Sequence, residues 1–105
     1  MSAHRRELIL APQAQRDLSD ILLQTEMGWG VQQRSRYRSV IDRALAELLT
    51  YPHIGRSRSD ISPGLRSFSA GRHVIYYRVS ESQIHVNRIV HPRMELGSDE
   101  LAEFR

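Results

Sequence analysis

Six side chains in the second half of this 105-residue chain have the chemistry needed to cleave a phosphodiester without a metal: Arg66, His73, Tyr77, Arg88, His91 and Arg93. A histidine exchanges protons with a hydroxyl near neutral pH. An arginine fork neutralises charge building on phosphoryl oxygens, so such a set could cut RNA through its 2′-hydroxyl. Each residue also has a structural reading. Tyr77 alternates with Ile75 and Val79, which suits core packing. Arg88 can be a half-buried arginine paired with a helix acid such as Asp42 or Glu47. Arg66 follows Pro63-Gly64 and can anchor that loop by donating to its carbonyls. His91, before Pro92, fits an ordinary strand end.

Metal and cofactor chemistry finds no foothold. The histidines stand at 4, 53, 73, 85 and 91, no two at the i,i+4 spacing of a helical metal site, and cysteine is absent. There is no phosphate-binding glycine loop, no HExxH and no nucleophile elbow. No cofactor is expected.

The elements that must position these residues can be read from periodicity. Residues 65–93 contain three extended runs, separated by Gly71 and by Ser80-Glu81-Ser82-Gln83. Ile75, Tyr77 and Val79 point one way and Val74, Tyr76 and Arg78 the other, which predicts an antiparallel three-stranded meander. In the last run Ile84 and Val86 alternate with His85 and Asn87 until Arg88-Ile89-Val90 breaks the pattern. Such a break fits a strand covered on both faces, or a charge admitted to the interior. Upstream, Glu7–Ala11 reads as a first strand, and Pro12 suits the first turn of a helix. That helix carries a stripe at Ala14, Leu18, Ile21, Leu22 and Thr25 and ends around Gly28-Trp29-Gly30. A second helix presents Val31, Tyr37, Val40, Ile41, Ala44, Leu45, Leu48 and Leu49, with Arg38–Asp42 and Arg43–Glu47 spaced for outer i,i+4 pairs. So short a link predicts a helical hairpin. Residues 52–64 read as a polar loop long enough for partial mobility, and Ser98 as the cap of one acidic turn over 99–104.

The length suits one domain, residues 1–105, with 94–105 as an acidic C-terminal tail. The fold class is α+β: an N-terminal strand and a helical hairpin packed on a small antiparallel sheet. No apolar run approaches the roughly 20 residues that span a bilayer, and the N-terminus is too quickly charged for a secretory signal. A reducing, cytoplasmic setting is expected. All 15 basic side chains are arginine. Residues 52–93 hold seven of them against two acids, Asp60 and Glu81, while 94–105 hold one against four acids. The central third can therefore offer a cationic docking face to an acidic partner.

Taken together, LILAPQAQRDLSDI, YPHIGR, PGLR, VIYYRV and NRIVHPR resemble the ParE branch of the RelE/ParE toxin superfamily, over residues 7 to about 93. The specific part is the ordered set Pro52, Gly55-Arg56, Gly64-Leu65-Arg66, Tyr77-Arg78, Arg88-Ile89-Val90-His91 and Arg93. The resemblance implies a type II toxin neutralised in a hetero-oligomer by a ParD-like antitoxin. That antitoxin would bind DNA, so DNA contact by this chain would be indirect. It further implies DNA gyrase as the target, whereas RelE relatives cut messenger RNA in the ribosome.

The RNA-cutting branch resembles a site with two basic residues on the second strand, an arginine entering the third, and arginine plus tyrosine after the last. Here Arg66 stands for the first pair with Phe68 in the other place. The third-strand position falls near Val74, and no tyrosine follows Tyr77; Arg93 aligns with the late arginine. Met94 departs from the ParE pattern, where an acid commonly follows. The expectation is a gyrase inhibitor with no chemistry of its own. Arg66, Arg88, His91 and Arg93 would form its partner-binding surface, held by Tyr76, Tyr77 and the hairpin. The alternatives are a RelE-like endonuclease using Arg66, His91 and Arg93, or a degenerate toxin that keeps only antitoxin binding.

Overall fold

The computed structural model describes residues 6–93, so the predicted acidic turn after Ser98 lies outside the described residues. The chain runs β1 (Glu7–Leu10), α1 (Pro12–Trp29), α2 (Val31–Thr50), β2 (Arg56–Ser57), β3 (Arg66–Ala70), β4 (His73–Val79) and β5 (Gln83–Val90). The strands form one sheet in the order β1-β5-β4-β3-β2, and both helices pack against it.

The meander over β3, β4 and β5 is antiparallel as its alternation predicts, with Phe68 opposite Ile75 and Ile75 opposite Ile89. The sheet as a whole is mixed, however. β1 lies parallel to β5, Leu8 opposite Ile84 and Leu10 opposite Val86. The helical hairpin sits on the return path that makes this parallel pairing possible. β2 is a two-residue edge strand against β3, too short to leave a periodic trace. It lies inside the stretch expected to be partly mobile. That loop is instead tied down by backbone bonds, among them Arg58 N–H to Leu65 O at 2.7 Å and Ile61 N–H to Arg58 O at 2.9 Å.

A β-bulge explains the broken alternation of the last strand. Tyr76 pairs with Arg88 and Tyr77 with Val86, which leaves Asn87 as the extra residue. The inward set Ile84, Val86 is thereby re-phased to Ile89. These residues join Ile75 and Tyr77 from β4, Ala14 and Ile21 from α1, and Ile41, Ala44, Leu45 and Leu48 from α2 in the main core. The opposite face carries a smaller cluster of Leu65, Tyr76 and Val90 with Ile61 and Val74 against it, so the central strands are covered on both sides.

The apolar face of α2 is shorter than its sequence suggests. Val31 sits at the hairpin tip and Leu49 lies about 100° around the helix from buried Leu48; both are exposed. Arg38 and Asp42 pair at 3.5 Å, but Arg43 bonds the Ser39 carbonyl rather than Glu47. Between the helices Gly30 takes a φ of 92°, a left-handed value that breaks the helical path at little cost.

Candidate functional site

The arginines singled out by sequence do not converge. Arg88 is buried, 6% exposed, and its helix partner is Asp17 on α1, not Asp42 or Glu47, which lie on the exposed side of α2. Its Nε donates to Asp17 Oδ2 at 2.8 Å and its Nη2 to Oδ1 at 3.1 Å. The Ile89 N–H donates to the same Oδ2 at 3.0 Å. β1 pairs with β5 only as far as Val86, so beyond that point a helix carboxylate does the work of a strand neighbour. Arg66, half-buried, donates from Nη1 to Gly55 O at 2.8 Å and to His53 O at 3.4 Å, which pins the loop after α2.

The two tyrosines hold that loop from either face of the sheet. Tyr77 is fully buried, donates to Pro52 O at 2.8 Å and accepts the Gly55 N–H at 2.9 Å. Burial pushes its phenol above the usual tyrosine range. A Cβ on Gly55 would collide with this phenol and stand 2.9 Å from Ser67 O, so only glycine fits. Tyr76 accepts from Arg58 Nη1 at 3.3 Å, and the Arg58 guanidinium lies 5.8 Å from its ring centre.

His91 and Arg93 are exposed beyond the end of β5, the Arg93 N–H donating to His91 Nδ1 at 3.1 Å. Arg66 lies opposite Tyr77, whereas Val90 lies opposite Val74 and that in turn opposite Ser69. From strand spacing, Arg66 and His91 are separated by about 13 Å along the strands and about 10 Å across them. One phosphate cannot bridge that gap.

A different constellation is brought together; the sequence reading had singled out its His73 and His91 but not Arg72, Gln24 or Gln33. A cleft of about 500 Å³ is lined by Ile21, Gln24, Thr25, Trp29, Gln33, Tyr37, Arg72, His73 and His91. Gly71-Arg72 forms the two-residue turn between β3 and β4, with Gly71 at a φ of 59°. Tyr37 of α2 reaches this turn, accepts the Arg72 N–H at 2.9 Å and lies 2.5 Å from His73 Nδ1. The His73 ring meets that of His91 edge-on at 5.9 Å. Burial, then the neighbouring His91 and Arg72, hold His73 below the ordinary imidazole range. The legible signal was Tyr37 itself, a hydroxyl inside an otherwise aliphatic stripe that needs a polar partner.

Large apolar side chains are exposed at two ends of the helices. Leu23, Met27, Trp29 and Val31 surround the hairpin tip, with Met27 78% and Trp29 75% exposed; Leu49, Tyr51 and Ile54 lie at the far end of α2. Among the described residues no group of three or more His, Cys, Asp or Glu could hold a metal. No described helix is long and apolar enough to cross a membrane.

A helical hairpin on a small mixed sheet, with dispersed arginines and exposed apolar side chains at the helix ends, defines an α+β domain. A family profile described as the ParE toxin of the type II toxin-antitoxin system parDE matches residues 8–96. Toxin ParE1 of Mycobacterium tuberculosis is 39% identical over 89 residues, covering 84% of this chain and 91% of that one. Toxin ParE1 of Caulobacter vibrioides is 29% identical over 85 residues, covering 81% and 88%. A solved structure titled "Chromosomal ParDE TA system from P. aeruginosa" superposes with a TM-score of 0.73 at 21% identity, covering 85% of this chain and 98% of that one. The chain belongs to the ParE toxin family of type II toxin–antitoxin systems, within the RelE/ParE superfamily.

Proposed function

We propose that this toxin halts growth by binding DNA gyrase as a protein inhibitor, in the cytoplasm, and that a ParD-like antitoxin neutralises it in a hetero-oligomer. The observation that carries this reading is that Arg66, Arg88 and Arg93 do not gather around one point. Arg88 is spent on Asp17 and Arg66 on loop carbonyls, while His91 and Arg93 stand at the far end of the sheet. An RNA-cleaving site needs base and clamps around one phosphate. A protein interface needs instead apolar anchors rimmed by charge, and the exposed hairpin tip supplies the anchors. In this reading His91, Arg93 and the outer edge of Arg66 make contacts with partners, and Arg88 acts from inside by fixing the end of β5.

The antitoxin follows from the same surface. Residues 52–93 are strongly basic, so an acidic tail that folds on binding would find both charge and apolar grooves. DNA contact then comes through the antitoxin. In a supercoiling assay with purified gyrase the toxin is expected to inhibit, and addition of its antitoxin to restore activity. Unimpaired supercoiling, together with cuts in messenger RNA on programmed ribosomes, would overturn the reading in favour of an endonuclease.

A further inference from the structure

The cleft at the β3–β4 turn has a donor pattern that the toxin's target does not explain. His91 Nδ1 accepts the Arg93 N–H, so that nitrogen carries no proton and a neutral His91 is protonated at Nε2. Tyr37 Oη already accepts the Arg72 N–H. It donates its own proton to Ala70 O at 3.3 Å and stands 2.5 Å from His73 Nδ1. The His91 imidazole and the Arg72 guanidinium therefore have donors to offer, and no carboxylate lines the cleft. Two donor groups without a carboxylate beside them call for an anion. The remaining walls are of another kind: the exposed Trp29 ring, and the side-chain amides of Gln24 and Gln33, which both donate and accept. A flat heteroaromatic ring with polar edges suits them. The volume of about 500 Å³ is that of a small-molecule site rather than of a strand-long groove.

We propose that this cleft binds a mononucleotide, its phosphate on Arg72 and His91 and its base against Trp29 and the two glutamines. Trp29 is the only tryptophan in the chain, so its emission reports on the cleft directly. The probes are AMP, GMP and inorganic phosphate, titrated against the full chain, with calorimetry as a second readout. AMP or GMP is expected to quench Trp29 saturably and to bind at least about tenfold more tightly than phosphate alone, base stacking contributing on the order of 1–3 kcal/mol. Arg72→Ala and His91→Gln should each weaken binding about tenfold, the usual loss for one charge-assisted bond. Both residues are exposed, so these variants leave the core intact. Equal affinity for phosphate and nucleotide would overturn the proposal, as would quenching that survives Arg72→Ala. Tighter binding of an RNA oligonucleotide than of either nucleotide would overturn it too, by making the cleft part of a nucleic-acid track.

Discussion

Asp17 satisfies three donors from β5 with two oxygens, and that concentration makes it the most exacting residue of the described structure. Replacing it with alanine takes the Asp17 carboxylate away from a buried guanidinium and is expected to cost about 3–5 kcal/mol, read as a lowered urea midpoint. Asp17→Ala combined with Arg88→Met removes both charges, so much of that loss should return. Tyr77→Phe strips the loop of two bonds to Pro52 and Gly55 and should cost about 1–3 kcal/mol by the same measurement. His73 gives a pH signature. Its folded pKa lies below the ordinary 6.5, so the unfolded chain binds the proton more readily. Stability from this residue is then complete above about pH 6.5 and falls as the pH drops toward the depressed folded value. Urea midpoints between pH 7.5 and 5 should fall in the parent and fall less in His73→Gln. At this scale the sequence disclosed that Arg88 wants an acid and that Arg66 suits a loop, because the neighbouring residues say so. It could not disclose which acid: Asp17 and Arg88 stand 71 residues apart, and the choice depends on which helix lies over β5.

Elements were more legible than their pairing. Alternation through Ile75, Tyr77 and Val79 marked β4, and Pro12 and Gly30 bracketed α1, since these are local rules of geometry. The parallel partnership of β1 with β5 is not local. A four-residue strand carries no sign of which edge it will join, and the bulge at Asn87 shows only as a pattern that stops. The cleft was hidden for the same reason, since it unites the end of α1, the start of α2, the β3–β4 turn and the residue after β5. The turn can be tested by itself. A Cβ on Gly71 would stand 2.8 Å from Tyr37 Cε1, and its φ of 59° disfavours any side chain. Gly71→Ala should lower the melting temperature by several degrees, corresponding to about 1–3 kcal/mol, and should disturb the His73 ring resonances.

Across the whole molecule, charge and apolar exposure are laid out separately. The basic excess lies in residues 52–93, while the largest uncovered apolar side chains cluster at the hairpin tip. A partner that uses both should show a split response. Raising salt from about 0.05 to about 0.5 M is expected to slow its association, whereas Met27→Ser is expected to speed its dissociation; surface plasmon resonance separates the two. The family was legible because its motifs run in order along nearly the entire chain, whereas the target was not, because contact surfaces leave no fixed spacing. The β1–β5 pairing also governs how the molecule is made. The first strand leaves the ribosome long before the strand it must join, and the Asp17 carboxylate waits equally long for its arginine. A ribosome that halts before Gln83 therefore releases a polypeptide whose sheet cannot close.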